Sequence, residues 1–397
     1  MFENVQTAAP DSILGLSEAY TADPRKTKVN LTVGVYKNES LQTPILESVK
    51  SAERNLIDSE STKSYLGIDG LPGFTKSVHE LVFAEGIGHD RTAVLQTPGG
   101  TGALRVGAEV IARNFPGSRI FVSTPTWANH QAIFAAAGLE IENYPYLDAT
   151  KTKLDFEAMI ETLESKSRPG DLVCLHACCH NPTGVDPTSE QWQQIADLVS
   201  KKQLVPFFDF AYQGFGTGLE ADAEGLRTVL PTVDDAVVCS SFSKNFGLYS
   251  ERVGAVSFMT KDANASAAIL SQLKLTVRCN YSNPPRHGAA IVAEILGNPP
   301  LRQEWTAELD AMRSRIQEMR TLFADGLAKT CPNHDFEFLR NQNGMFSFTG
   351  LNPMQADWLK TERGVYMVGT GRVNVAGMSK DTMAYLCESI AECLAQS

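Results

Sequence analysis

Four near-continuous apolar runs in the middle of the chain restrict its fold more than any other feature: Arg119 to Ser123, Asp171 to His176, Val205 to Phe210 and Ala236 to Ser241. A strand that is apolar at successive positions has to be covered on both faces, as happens inside a parallel sheet flanked by helices. The segments between them carry the helical period. From Ser189 to Lys201, for example, Trp192, Ile195, Ala196 and Val199 fall on one face. This alternation predicts an α/β fold with a mostly parallel central sheet. The pattern changes from Leu301 onward, where Trp305, Leu309, Met312, Ile316, Met319 and Leu322 recur at helical spacing. They predict one long amphipathic helix, packed on a core and linking two units. Phe336 to Leu339, Met345 to Phe348 and Arg372 to Val375 then read as short strands of a smaller α+β unit.

The 397 residues allow two or three domains, at ~100–200 residues each. Lys and Arg number 35 against 46 Asp and Glu, a net charge of −11. No basic stripe offers a nucleic acid the counterion-release contribution that binding needs, so that partner is not expected. Apolar runs such as Ala132 to Leu139 are far shorter than the ~20 residues of a membrane span. Met1-Phe2-Glu3-Asn4 has neither a basic n-region nor an apolar core, and eight cysteines are too sparse for a disulfide scaffold. A reducing cytoplasmic setting is therefore expected. His176, Cys178, Cys179 and His180 have the chemistry of soft metal ligands. They sit on a strand end where alternate residues face opposite ways, with no second pair at zinc-site spacing. Buried thiols and packed or hydrogen-bonded histidines are expected instead, and no metal.

Four features fall at predicted strand ends, where open parallel sheets hold their ligands. Thr97-Pro98-Gly99-Gly100-Thr101-Gly102 enters a helix and either holds a phosphate on backbone N–H groups or only reverses the chain. Asp209 closes an apolar run, facing a cation or donor, or capping a helix. Lys244, between Ser243 and Asn245 beyond a buried strand, is either a desolvated amine suited to Schiff-base chemistry or a snorkelling surface lysine. Asn181-Pro182-Thr183-Gly184 is turn chemistry that also brings an amide to the sheet edge.

Together with Thr62 to Gly70, Gln96 to Leu104, Phe208 to Phe215, Ser241 to Arg252, Asn280 to Pro285 and Gly371 to Asn374, these features resemble the fold-type I, class I pyridoxal-phosphate aminotransferases. The resemblance runs end to end and is nearest to the bacterial, aspartate-specific branch. It implies a large cofactor-binding domain over 44–311, a small domain from 12–43 and 312–397, and an arm, 1–11, packed on the other subunit of a homodimer. It also implies cis bonds at Thr124-Pro125 and Asn181-Pro182.

The implied activity is amino transfer between L-aspartate and 2-oxoglutarate, giving oxaloacetate and L-glutamate by a ping-pong mechanism. Lys244 would carry pyridoxal phosphate covalently and move the substrate α-proton. Asp209, supported by His130, would pair with the pyridine nitrogen, Tyr212 and Asn181 would bond the ring oxygen, and Trp127 would stack on the ring. Gly100, Thr101, Ser241, Ser243, Arg252 and, from the second subunit, Tyr65 would hold the phosphate. Arg372 with Asn181 would clamp the α-carboxylate beneath a closing segment that includes Gly34. Arg278 from the second subunit would grip the distal carboxylate. Val35, Lys37, Thr43, Thr101 and Asn283 match the aspartate branch, while Ser64 departs from it. The alternatives are a broad-specificity aromatic amino acid aminotransferase and a pyridoxal-phosphate-binding regulatory module; Lys244, Asp209 and Arg372 together, with no attached DNA-binding domain, speak against the second.

Overall fold

The computed structural model describes residues 2–7 and 14–396. Residues 8–13, where the expected arm ends and the expected small domain begins, lie outside the described residues. The strands are β1 (Val29–Asn30), β2 (Thr92–Pro98), β3 (Arg119–Thr124), β4 (Glu140–Pro145), β5 (Leu172–His176), β6 (Val205–Phe210), β7 (Ala236–Ser241), β8 (Val253–Met259), β9 (Phe346–Phe348), β10 (Val365–Tyr366) and β11 (Arg372–Asn374). Seven of them form one sheet in the order β2-β8-β7-β6-β5-β3-β4. All neighbours from β4 to β7 pair in parallel, and only β8 runs against the rest. The four apolar runs of the sequence are the interior strands β3, β5, β6 and β7. β5 and β7 are buried at every position, as helices on both faces require.

Helix Ser189–Lys202 opens with a capping box in which Thr188 and Gln191 satisfy each other's backbone N–H groups, and it buries Trp192, Ile195, Ala196 and Val199 against the sheet. The long helix spans Pro299–Thr330 and buries Trp305, Leu309, Met312, Ile316 and Met319. Its buried side also carries Arg315 and Arg320. Arg320, with no acid at ion-pair distance among the described residues, donates instead to the carbonyls of Gly344 at 2.6 Å and Phe346 at 3.2 Å. Among the described residues no helix is long and apolar enough to cross a membrane.

Two small sheets complete the architecture. β1 pairs in parallel with β10, and β9 pairs antiparallel with β11, which brings the N-terminal segment onto the C-terminal quarter. The strand expected at Phe336 to Leu339 is a 3₁₀ helix, Glu337–Asn341, instead. Asp335 Oδ1 accepts the N–H of Glu337 and bends the chain there, and the Glu337–Arg340 pair, three residues apart, favours a helical turn. β11 stops one residue earlier than expected, because the Asn374 side chain accepts the N–H of Ala376 and starts a further turn. The Thr124-Pro125 and Asn181-Pro182 bonds are both cis.

Candidate active site

The carboxyl ends of the parallel strands and the start of helix Gly99–Asn114 converge on one cavity of about 260 Å³. Its lining includes Gly34, Gly100, Thr101, Trp127, Asn181, Asp209, Tyr212, Ser241, Ser243, Lys244, Arg252 and Arg372. Residues far apart in the chain meet here because successive crossovers return each strand in the same direction, so its end opens on the same edge.

Asp209, at the end of β6, is buried, and its Oδ2 lies 3.2 Å from His130 Nε2. Burial alone would raise the carboxyl pKa. The hydrogen bond from His130 and the electrostatic influence of His130, His176 and Lys244 outweigh it and hold Asp209 below the ordinary carboxylate value. With Asp209 ionised, His130 Nε2 carries the hydrogen, leaving Nδ1 to accept from the Thr126 hydroxyl at 2.8 Å. A negative oxygen is thus fixed at the cavity wall, suited to a protonated ring nitrogen.

Lys244 follows β7, with Nζ 4.5 Å from the centre of the Tyr212 ring. Burial lowers its pKa to about 8, with Asp209 opposing and the charge of Arg252 adding to the fall. Burial pushes Tyr212 far up, so the phenol is neutral; Asn181 Nδ2 donates to its oxygen at 3.3 Å.

Opposite lies an anion cradle. The first N–H groups of helix Gly99–Asn114 have no partners within the helix. A Cβ on Gly100 would come 2.8 Å from Ser241 Cβ, and one on Gly99, at φ +77, 2.5 Å from Arg252 Nη2, so side chains at either place would fill the cradle. Arg252 Nη1 donates to Ser243 Oγ at 3.4 Å and to the Tyr249 carbonyl at 2.8 Å. Amide donors, two hydroxyls and a guanidinium make a donor set that fits a phosphate dianion.

Arg372, on β11, is 5% exposed. It donates to the Thr32 carbonyl at 2.7 Å and to Asn181 Oδ1 at 3.4 Å, and its guanidinium lies 4.3 Å from the Phe346 ring centre. Its Nε has no partner, and no acid among the described residues lies within ion-pair distance. A buried guanidinium without a counterion is costly unless an anion arrives from outside.

Three expected site residues stand apart. His130 sits behind Asp209 rather than in the cavity. Tyr65 is 94% exposed. Arg278, exposed at the end of helix Ala263–Asn280, donates to Ser282 Oγ. Sequence reasoning gave no role to Phe346, which reads as a core strand residue, or to Tyr249; both line the cavity.

The residue types and their arrangement correspond to a known family. The description "Aminotransferase class I and II" matches residues 26–390. The chain belongs to this family. An aspartate aminotransferase of Salmonella typhi is 53% identical over 397 residues, covering 99% of this chain and all of that protein. An aromatic-amino-acid aminotransferase of Escherichia coli K12 is 43% identical, covering 98% and 99%. Among solved structures, the aromatic-amino-acid aminotransferase of Burkholderia pseudomallei, covalently bound to pyridoxal phosphate, superposes with a TM-score of 0.96 at 44% identity, covering 99% of each chain.

Within this aminotransferase the soft-ligand cluster is divided. His180 stacks on Tyr146 and bonds Ser123 and Thr183. His176 faces His130 with a ring separation of 5.2 Å. Cys178 and Cys179 approach Asp222, whose carboxylate already accepts the amides of Gly214, Gly216, Thr217 and Gly218. Burial raises both thiol pKa values, Cys179 to about 12, so neither offers a thiolate.

Proposed function

We propose that this enzyme transfers an amino group between L-aspartate and 2-oxoglutarate, giving oxaloacetate and L-glutamate by a ping-pong mechanism with pyridoxal 5′-phosphate as cofactor. The observation that carries the reading is Arg372, a buried cation without an acid partner, in the same cavity as a desolvated lysine, an ionised carboxylate and an anion cradle. The 53% identity to an aspartate aminotransferase supports the choice of donor.

The residues present fit the cofactor. Gly100, Thr101, Ser241, Ser243 and Arg252 would hold its phosphate, Asp209 with His130 behind it a protonated ring nitrogen, Tyr212 and Asn181 the ring oxygen, Trp127 a ring face, and Lys244 the aldehyde carbon. Bound pyridoxal phosphate would supply an electron sink for the pair left at the substrate α-carbon and a temporary carrier for the amino group. Lys244 Nζ would be the base that takes the α-proton and returns it. Arg372 orients the substrate through its carboxylate, and Asn181 fixes the guanidinium plane. Residues around Gly34 exclude water at the cavity mouth, which strengthens each charged contact inside.

We further propose that residues 44–311 form the cofactor-binding unit, 12–43 with 312–397 a smaller one, and 1–11 an arm, in a cytoplasmic homodimer. Seven of the eight cysteines are buried, which supports a reducing setting. Shared sites are supported by one exposed edge: Asn283 Nδ2 donates to the Leu66 carbonyl at 2.8 Å, so the turn with Tyr65 and the loop after Arg278 lie together, outside their own cavity. Each would complete the partner's site, Arg278 gripping the distal carboxylate.

Arg278→Asp is expected to lower kcat/KM for aspartate by about 10²- to 10³-fold, the scale of losing one partner of a desolvated charge pair, and to spare aromatic donors. An isolated heterodimer of Arg278→Asp and Lys244→Ala subunits keeps one complete site and should return to about half the parent activity. No recovery in the heterodimer would place Arg278 outside the shared site and remove this support for aspartate.

A further inference from the structure

Tyr249 lines the cavity five residues after Lys244. Its hydroxyl oxygen accepts the backbone N–H of Tyr36 at 2.8 Å, and its own carbonyl accepts Arg252 Nη1 at 2.8 Å. One residue is therefore bonded on one side to the segment that carries Gly34 and on the other to the guanidinium of the anion cradle. Burial pushes the phenol pKa well up, so the hydroxyl is neutral.

Apart from local bonds such as that from the Thr43 hydroxyl to the Tyr36 carbonyl, the segment's other bonds run to the C-terminal part of the chain. Asn374 Nδ2 donates to the carbonyls of Val33 and Val35 at 2.6 and 2.9 Å, and the Lys37 N–H reaches the Ala376 carbonyl at 3.2 Å. Among the described residues, the Tyr249 hydroxyl makes the one hydrogen bond between residues 33–37 and residues 44–311. Gly34 also packs closely: a Cβ there would lie 2.7 Å from Phe346 Cζ, and the Phe346 ring in turn lies against the Arg372 guanidinium. A shift of residues 33–37 is thus felt at Arg372 through the Phe346 ring.

We propose that Tyr249 is a positioning residue for substrate binding: its hydroxyl latches residues 33–37 to the Lys244 loop and so keeps Gly34 and Phe346 seated around Arg372. The inference rests on the amino-transfer reading of this site. It separates substrate affinity, which depends on the latch, from cofactor retention and the proton-transfer step, which do not.

Tyr249→Phe removes the acceptor and keeps the ring. In the loaded enzyme, hydrogen exchange at the Tyr36 amide should quicken by about 3- to 10-fold, the worth of one net hydrogen bond. KM for L-aspartate should rise by about the same factor, with kcat within about twofold and cofactor affinity unchanged. Gly34→Ala, which pushes the same segment off Phe346, should raise KM too, and the double variant should show about the effect of the larger single one. Unchanged exchange at Tyr36, a KM that stays put while exchange quickens, an equal fall in kcat and cofactor affinity, or multiplying effects in the double variant would each overturn the proposal. If the parent enzyme does not use L-aspartate, the substrate assignment fails, and Tyr36 exchange with KM for the donor it does use still decides the latch.

Discussion

Lys244→Ala should lower kcat by about 10⁴-fold or more, because on the proposed roles the variant loses both the amine that would carry the cofactor and the base that would take the α-proton. The structure explains why this lysine suits both tasks. Burial brings its pKa to about 8, so at neutral pH about a tenth of the free amine is uncharged, against less than about one in a thousand for an ordinary lysine. The sign gives a pH dependence. Deprotonation exposes the lone pair, so covalent uptake of pyridoxal phosphate by the apoenzyme should speed up as pH rises toward about 8 and level off above it. Single-turnover measurements would check the first expectation and stopped-flow cofactor uptake the second. A Lys244→Ala enzyme within a hundredth of parent kcat, or uptake that slows with rising pH, contradicts the assignment.

Asp209→Ala should cost kcat about 10²- to 10³-fold, the scale of removing one preorganised electrostatic group from a water-excluded site. His130, anchored by Thr126, holds the carboxylate in place, and the proposed role of its negative charge is to keep a ring nitrogen of the cofactor protonated against burial. The loss concerns charge that develops in the transition state. It should therefore appear in kcat more than in cofactor occupancy, which the cradle of Gly100, Ser241, Ser243 and Arg252 sustains. Steady-state kinetics alongside cofactor titration separate the two, and a kcat near the parent value rejects the role.

Much of this architecture was readable from residue pattern for a physical reason. β5 and β7 are apolar at nearly every position because helices cover both faces, and few other environments tolerate such runs. The edge strand β4, Glu140-Ile141-Glu142-Asn143-Tyr144-Pro145, mixes an exposed and a half-buried acid with one buried ring and carries no such signal. The reversed β8 was also missed, since its direction comes from pairing between β2 and β7. It needs glycine at 254, where a Cβ would lie 2.4 Å from the Gly99 carbonyl carbon, a contact set by the sheet rather than by the local sequence. The candidate site divides the same way. Lys244, Asp209 and Asn181 sit in compact motifs at strand ends and could be named. Phe346 and Tyr249 act through partners that only the fold supplies, Tyr249 with a residue 213 positions away. Arg320 looks like a solvated helix charge until the structure shows it buried and holding the Gly344 and Phe346 carbonyls.

The cavity is expected to select a dicarboxylic amino donor, and what tests this most directly is the ratio of kcat/KM for L-aspartate to that for L-phenylalanine, with 2-oxoglutarate as acceptor. An enzyme with a carboxylate clamp at each end of the substrate should favour aspartate by about 10²-fold or more, and a ratio near or below one would contradict the account.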